Sequence, residues 1–167
     1  MTASEDHKRR ARRLSNRGAA YLRDGEPKKA LSLLRRAHQL LPEDVAIAIN
    51  LAGAYILQGQ HQDAVSILEH ALVHEPANEM LWTNLGAAYL GNPILATDEQ
   101  QQAAIDAFER AIEINPLAPN VHYNLGLIHR DRGETEQAIH RFRQALQANP
   151  HDRDACRALQ RLVERLQ

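Results

Sequence analysis

Cysteine is almost absent from this chain. Cys156 stands alone among 167 residues, which excludes an internal disulfide framework. No apolar run approaches the ~18 residues of a membrane span, and no charged segment followed by an apolar one opens the sequence. Neither a span nor a secretory signal is therefore expected, and the cytoplasm is the default compartment. There is no Gly-rich phosphate loop, no nucleophile elbow and no pair of carboxylates on an identifiable pocket, so an enzyme is not expected and no cofactor or metal is implied. Positive charge is missing from a long central stretch: residues 37–109 hold no Lys or Arg against 10 Asp/Glu, whereas residues 1–36 hold 11 Lys/Arg against 4 Asp/Glu and residues 110–167 hold 9 against 7. The net charge of −1 thus conceals a basic head and an acidic waist. Either these are solvated faces, or they steer a partner or a second copy over about a Debye length, roughly 8 Å.

What the chain does have is self-similarity. The segment Trp82, Leu85, Gly86, Tyr89, Ala104, Phe108, Ala111 and Pro116 recurs in altered form. The other copies are Leu14, Gly18, Tyr21, Ala30, Leu34, Ala37 and Pro42; Ala48, Leu51, Ala52, Tyr55, Ala64, Leu68, Ala71 and Pro76; and His122, Leu125, Gly126, His129, Ala138, Phe142, Ala145 and Pro150. Pro42 to Pro76 and Pro116 to Pro150 are each 34 residues. Within each period, apolar residues at i, i+3, i+4 and i+7 run along two segments of about a dozen residues separated by a polar turn. Each period is therefore a helical hairpin. Small residues at Gly18, Ala52, Gly86 and Gly126 let two helix backbones approach, and the Tyr and Leu/Phe positions fill the adjoining space. The prolines stop the second helices. One hairpin cannot bury its apolar face alone, so the four must stack.

This pattern resembles the tetratricopeptide repeat, whose period is 34 residues with the W-x2-L-G-x2-Y, A-x3-F and P positions. The resemblance implies an all-α fold, a right-handed α-solenoid of four hairpins forming a single domain over 1–167. The repeats are expected at about 11–44, 45–78, 79–118 with a six-residue insertion, and 119–152. Residues 153–167 then form a capping helix with an apolar stripe of Ala155, Cys156, Leu159, Leu162, Val163 and Leu166, on which Cys156 packs as an inert small hydrophobe. Thr2 or Ser4, ahead of Glu5 and Asp6, is expected to open the first helix. In the insertion, Gly91, Asn92 and Pro93 close one helix. Thr97 and Gln100 form a capping box that opens the next a turn early, leaving a loop that exposes Ile94 and Leu95.

Function in a solenoid belongs on the concave wall lined by the first helices. In the proteins this chain resembles, slots 2, 5, 6, 9, 12 and 13 of each repeat face that groove. Slot 6 is asparagine in all four repeats: Asn16, Asn50, Asn84 and Asn124. Asparagine is a mediocre helix former, while its amide offers two donors and an acceptor that match an extended peptide backbone. A similar ladder lines the superhelix of the O-linked N-acetylglucosamine transferase, where it holds peptide backbones. The alternative is that these amides bond neighbouring helices. Around them, Ile49, Ile56, Leu57, Met80, Leu90, Tyr123 and Leu127 are expected to be partly exposed, as on an interaction surface. Arg12 and Arg23 flank one end. At the other, Arg130 stands near Arg153, Arg157, Arg161 and Arg165, spaced i, i+4, a row able to receive carboxylates or phosphates or simply to face solvent.

Three narrower readings are set aside. Chaperone-binding members of the family use a carboxylate clamp, but its slots here hold Ser15, Ala19, Asn50, Met80 and Asn84, and only Asn50 fits. The basic stretch His7 to Arg13 lacks interleaved aromatics, so nucleic acid is not expected as a partner. His70 and His74 have a metal-compatible i, i+4 spacing but no evident third ligand. The reading that remains is a non-enzymatic adaptor that holds a protein or peptide segment with an apolar centre. The alternative is a self-associating module forming a homo-oligomer.

Overall fold

A computed structural model of the chain describes residues 3–92 and 95–166. Among the described residues there are nine helices and no strand. They are α1 (Ala3–Arg23), α2 (Pro27–Leu40), α3 (Val45–Leu57), α4 (His61–His74), α5 (Glu79–Leu90), α6 (Asp98–Ile114), α7 (Val121–Asp131), α8 (Thr135–Ala148) and α9 (Arg153–Glu164). Consecutive helices pack against each other, and α1 also meets α3 as α3 meets α5, so that the first helices of the first three repeats stack; the fourth repeat joins through α6 and α7. The last helix packs on α8. The result is an all-α solenoid of four hairpins with a terminal cap.

Local chemistry sets the helix ends. The Asp44 carboxylate accepts from the Ile47 amide at 3.1 Å, and Asp152 accepts from Asp154 and Ala155 at 3.0 Å. The Asn78 side-chain Oδ1 accepts from the Met80 and Leu81 amides. Each satisfies amides that have no intrahelical acceptor. The second helices stop two residues before Pro42, Pro76, Pro116 and Pro150, because the residue before a proline disfavours the helical region. Glu5 and Asp6 lie in the first turn of α1, where carboxylates suit the positive end of the helix. Of the two caps expected there, Thr2 lies outside the described residues.

The core sits where the paired helices cross. Added to Gly18, a Cβ would come within 2.5 Å of the Leu34 side chain; at Gly86 and Gly126 it would meet the Phe108 and Phe142 rings at 2.6 Å. Leu34, Phe108 and Phe142 are fully buried. Each of these glycines therefore makes room for the large side chain that fills the same repeat. Burying one such side chain contributes roughly 1.5–3 kcal/mol.

Repeats are also tied to each other by polar bonds. The Arg35 guanidinium donates to the Tyr55 hydroxyl at 2.9 Å and the Tyr89 hydroxyl to Glu69 at 2.7 Å. Arg141 pairs with Glu109. Trp82 and His122, which share a slot, each place a ring nitrogen 2.8 Å from the carbonyl of the proline six residues upstream, Pro76 and Pro116.

The insertion is built as expected at its end. Thr97 and Gln100 exchange a reciprocal capping box, and α6 has 17 residues where the other second helices have 14. Its added turn is held by Arg132, which donates to Gln101 at 2.8 Å, Gln102 at 3.4 Å and the Asp98 carbonyl at 3.3 Å. Leu95 is 76% exposed; Ile94 lies outside the described residues.

Two expectations need correction. Leu90 is only 6% exposed and belongs to a core cluster with Ala104, Phe108, Leu125 and Ile128. The insertion follows it directly, and Ala96 from that insertion packs on the same cluster, cover that no other repeat supplies. Cys156 is exposed rather than packed. The buried edge of α9 runs through Ala155 and Leu162, and Cys156, one residue beyond Ala155, is turned about 100° from it. Leu166, on the same expected stripe, is also exposed.

Candidate functional site

Each first helix turns one face to its partner helix and leaves another free. On α3 the free face includes Gly53, where an added Cβ would find nothing within 4 Å. The equivalent positions are Ala19, Ala87 and Leu127, so this slot holds small residues until the last repeat. Ala19, Gly53, Ala87 and Leu127 are all half-buried.

The four asparagines differ in what they do. Asn16 is exposed and Asn50, Asn84 and Asn124 are half-buried. The Asn50 amide donates to the Ser15 hydroxyl, 3.4 Å away on α1, and so links the first two repeats. The amides of Asn16, Asn84 and Asn124 have no side-chain hydrogen bond among the described residues. Asn16 stands with Arg9, Arg12, Arg13 and Arg17 along a basic face of α1.

The apolar residues form a graded surface. Leu57 is 61% and Met80 51% exposed. Ile49 and Ile56 are half-buried against the central core, and Tyr123 and Leu127 against the Phe142 cluster. With Leu90 removed to the core, six of the seven expected positions remain accessible.

At the C-terminal end the expected arginines meet in space. A cleft of about 440 Å³ is lined by Tyr123 and Arg130 from α7 and by Asp154, Arg157, Ala158, Arg161, Leu162 and Arg165 from the last helix and its end. Arg130 pairs with Asp131 at 2.7 Å. Arg157 pairs with Asp154 at 2.6 Å and also donates to the Arg153 carbonyl. Arg161 and Arg165 have no carboxylate partner among the described residues. Burial pushes the Tyr123 hydroxyl above its ordinary pKa; Asp154 and Asp152 add to the shift, and Arg130 and Arg157 oppose it. Asp154 was not among the expected site residues. Its signal was the i, i+3 spacing to Arg157 beside a helix cap.

The histidines do not assemble a site. His70 and His74 stack edge to face at 5.3 Å, and among the described residues no three His, Cys, Asp or Glu side chains are placed to hold a metal ion. His38 has a lowered pKa, chiefly from burial and secondarily from His70, so it favours the neutral form. No described helix is long and apolar enough to cross a membrane.

Family models described as tetratricopeptide repeat match residues 21–91 and 98–153, together most of the chain. No curated protein matches. Among solved structures, the thermophilic TPR protein TTC0263 of Thermus thermophilus is similar with a TM-score of 0.80 at 22% identity, covering 93% of this chain and 82% of that one. A MamA crystal structure is similar at 0.69 and 26% identity, over 88% and 82%. MamA from Desulfovibrio magneticus RS-1 gives 0.70 at 21%, over 86% and 77%. The four hairpins of this chain, the close approach of glycine to Leu or Phe in three of them, and both family matches make one conclusion: this chain belongs to the tetratricopeptide repeat family.

Proposed function

We propose that the protein is a non-enzymatic scaffold that holds an extended or helical segment of a protein partner in the groove of its first helices. The observation that carries this reading is the contrast along that groove: Met80 and Leu57 are more than half exposed, the floor at Gly53 is open, and the Asn84 and Asn124 amides are unspent. A peptide backbone supplies the carbonyls and amides such side chains lack, and its apolar residues cover the exposed Leu and Met. Asn50 is a lesser contributor because its amide already bonds Ser15. The test is affinity capture from source lysate with the wild-type chain beside an Asn84→Ala/Asn124→Ala variant. Partners recovered by the first and lost by the folded second support the reading; equal recovery contradicts it.

The charge segregation favours a second reading, self-association of the basic head of one copy with the acidic waist of another. Such a dimer weakens as salt rises, because exposed charges are screened. Sedimentation that shows a monomer at every protein and salt concentration removes it.

A further inference from the structure

We propose that the cleft between α7 and α9 is a receptor for two carboxylates of an acidic protein segment, with Arg161 and Arg165 as the receiving groups. The inference rests on the groove reading and adds the polarity of the ligand: its acidic end lies at the α9 end of the groove. Four arginines and one aspartate line the cleft. Arg130 and Arg157 are already answered by Asp131 and Asp154, whereas Arg161 and Arg165 have no such partner among the described residues. Both are exposed.

Their spacing carries the second part of the argument. Side chains at i and i+4 on a helix stand about 5–6 Å apart. Glutamates two apart on an extended strand are separated by about 6.6 Å, and glutamates four apart on a helix by about the same distance as the arginines. Either ligand form therefore matches one carboxylate to each guanidinium, and guanidinium binds carboxylate through two parallel hydrogen bonds. The row Arg153, Arg157, Arg161 and Arg165 is self-repulsive along its own helix. Positive charge at a helix end suits the helix dipole, yet that does not bring Arg130 and Tyr123 of another helix to the same cleft. The i, i+4 spacing suits two separate carboxylates, one to each guanidinium, whereas a phosphate concentrates its charge at one point. Tyr123 lines the cleft and is also a groove position in the reading proposed above, so on that reading a chain leaving the groove past Tyr123 enters the cleft directly.

The experiment uses the full chain and two labelled peptides of about a dozen residues, both with a Leu/Ala centre, one ending in Glu-Ala-Glu and the other in Gln-Ala-Gln. By fluorescence anisotropy at low salt the Glu peptide should bind about tenfold more tightly, a ratio that shrinks as salt rises. Arg161→Ala/Arg165→Ala, with helicity unchanged, should abolish the ratio and leave the affinity of the Gln peptide intact; Arg161→Lys/Arg165→Lys should keep part of it. Equal affinities, undetectable binding of the Glu peptide, or a ratio that survives the double Ala variant overturns the inference. Displacement of the Glu peptide by millimolar inorganic phosphate as readily as by unlabelled peptide overturns it in favour of a phosphate site. Gly53→Arg separates the two readings. If it weakens both peptides while the arginine variant changes nothing, the groove stands and the cleft falls. If it weakens neither while the arginine variant removes the ratio, the cleft stands and the groove falls.

Discussion

Gly53 and Gly86 occupy neighbouring slots of successive repeats and have opposite surroundings. A Cβ at Gly86 would strike the Phe108 ring at 2.6 Å, whereas at Gly53 it would find nothing within 4 Å. One residue along a helix is a rotation of about 100°, and that rotation separates the face that packs the hairpin from a face left open. The same residue type thus serves close packing in one place and leaves an empty floor in the other. A small residue in a repeat does not imply packing until its direction is known.

The widest separation between the faces should come from buried charge. Leu90→Asp places a carboxylate in the cluster around Phe108 and Leu125 and should destabilise by roughly 3–5 kcal/mol. Met80→Asp, half exposed ten residues earlier on α5, should leave the melting temperature almost unchanged. Equal melting losses would erase the distinction between core and groove.

Overpacking comes next. Gly86→Leu or Gly126→Leu should cost roughly 1–3 kcal/mol or more, since the new side chain would strike the fully buried Phe108 or Phe142 ring, and Gly53→Leu should cost little. Denaturant midpoints of the three variants read this directly, and an unchanged midpoint for Gly86→Leu contradicts the packing described.

The asparagines should divide in a smaller way. Asn50→Ala loses the bond to Ser15 and should destabilise by about 0.5–1.5 kcal/mol, near the low end because the bond is long. Asn84→Ala removes no intramolecular bond and should be neutral in the same thermal melt. A stabilising role for Asn84 equal to that of Asn50 would make the ladder a device of the fold alone.

The smallest effect is a pH dependence on the inter-repeat contacts. Tyr89 is pushed up from 10.0 to about 12, first by burial and then by its bond to Glu69. Its folded pKa is raised, so its contribution is complete below pH 10 and is lost as pH rises through about 12. In a tyrosinate absorbance titration Tyr89 should ionise late, and Tyr89→Phe should remove that late step.

The hairpins were legible because Gly86 and Phe108, or Gly126 and Phe142, recur in register and the approach of two helices needs both. The capping box at Thr97 and Gln100 was legible because it is local. The arginine cleft was half legible: i, i+4 spacing aligned Arg157, Arg161 and Arg165, and Arg130 was expected at the same end, but Tyr123 was expected only among the apolar groove residues, and their meeting depends on how α9 docks. Leu90 was misread because the cover over it comes from the insertion. Cys156 was misread because the buried edge of α9 is narrower than its apolar residues suggest. The Asn50–Ser15 bond was hidden because it joins residues 35 apart in sequence. Trp82 and His122 were recognised as equivalent, yet their shared bond to a proline carbonyl was not.

The central claim is that partners use the free face of the first helices. It is tested most directly by attaching the same bulky maleimide to Met80→Cys and to Val73→Cys, each in a Cys156→Ser background. Val73 is 78% exposed on α4, a second helix, and Met80 is exposed on α5, a first helix. The label at position 80 should abolish capture of partners from source lysate and the label at position 73 should leave it intact. Loss at position 73 with retention at position 80 would contradict the account.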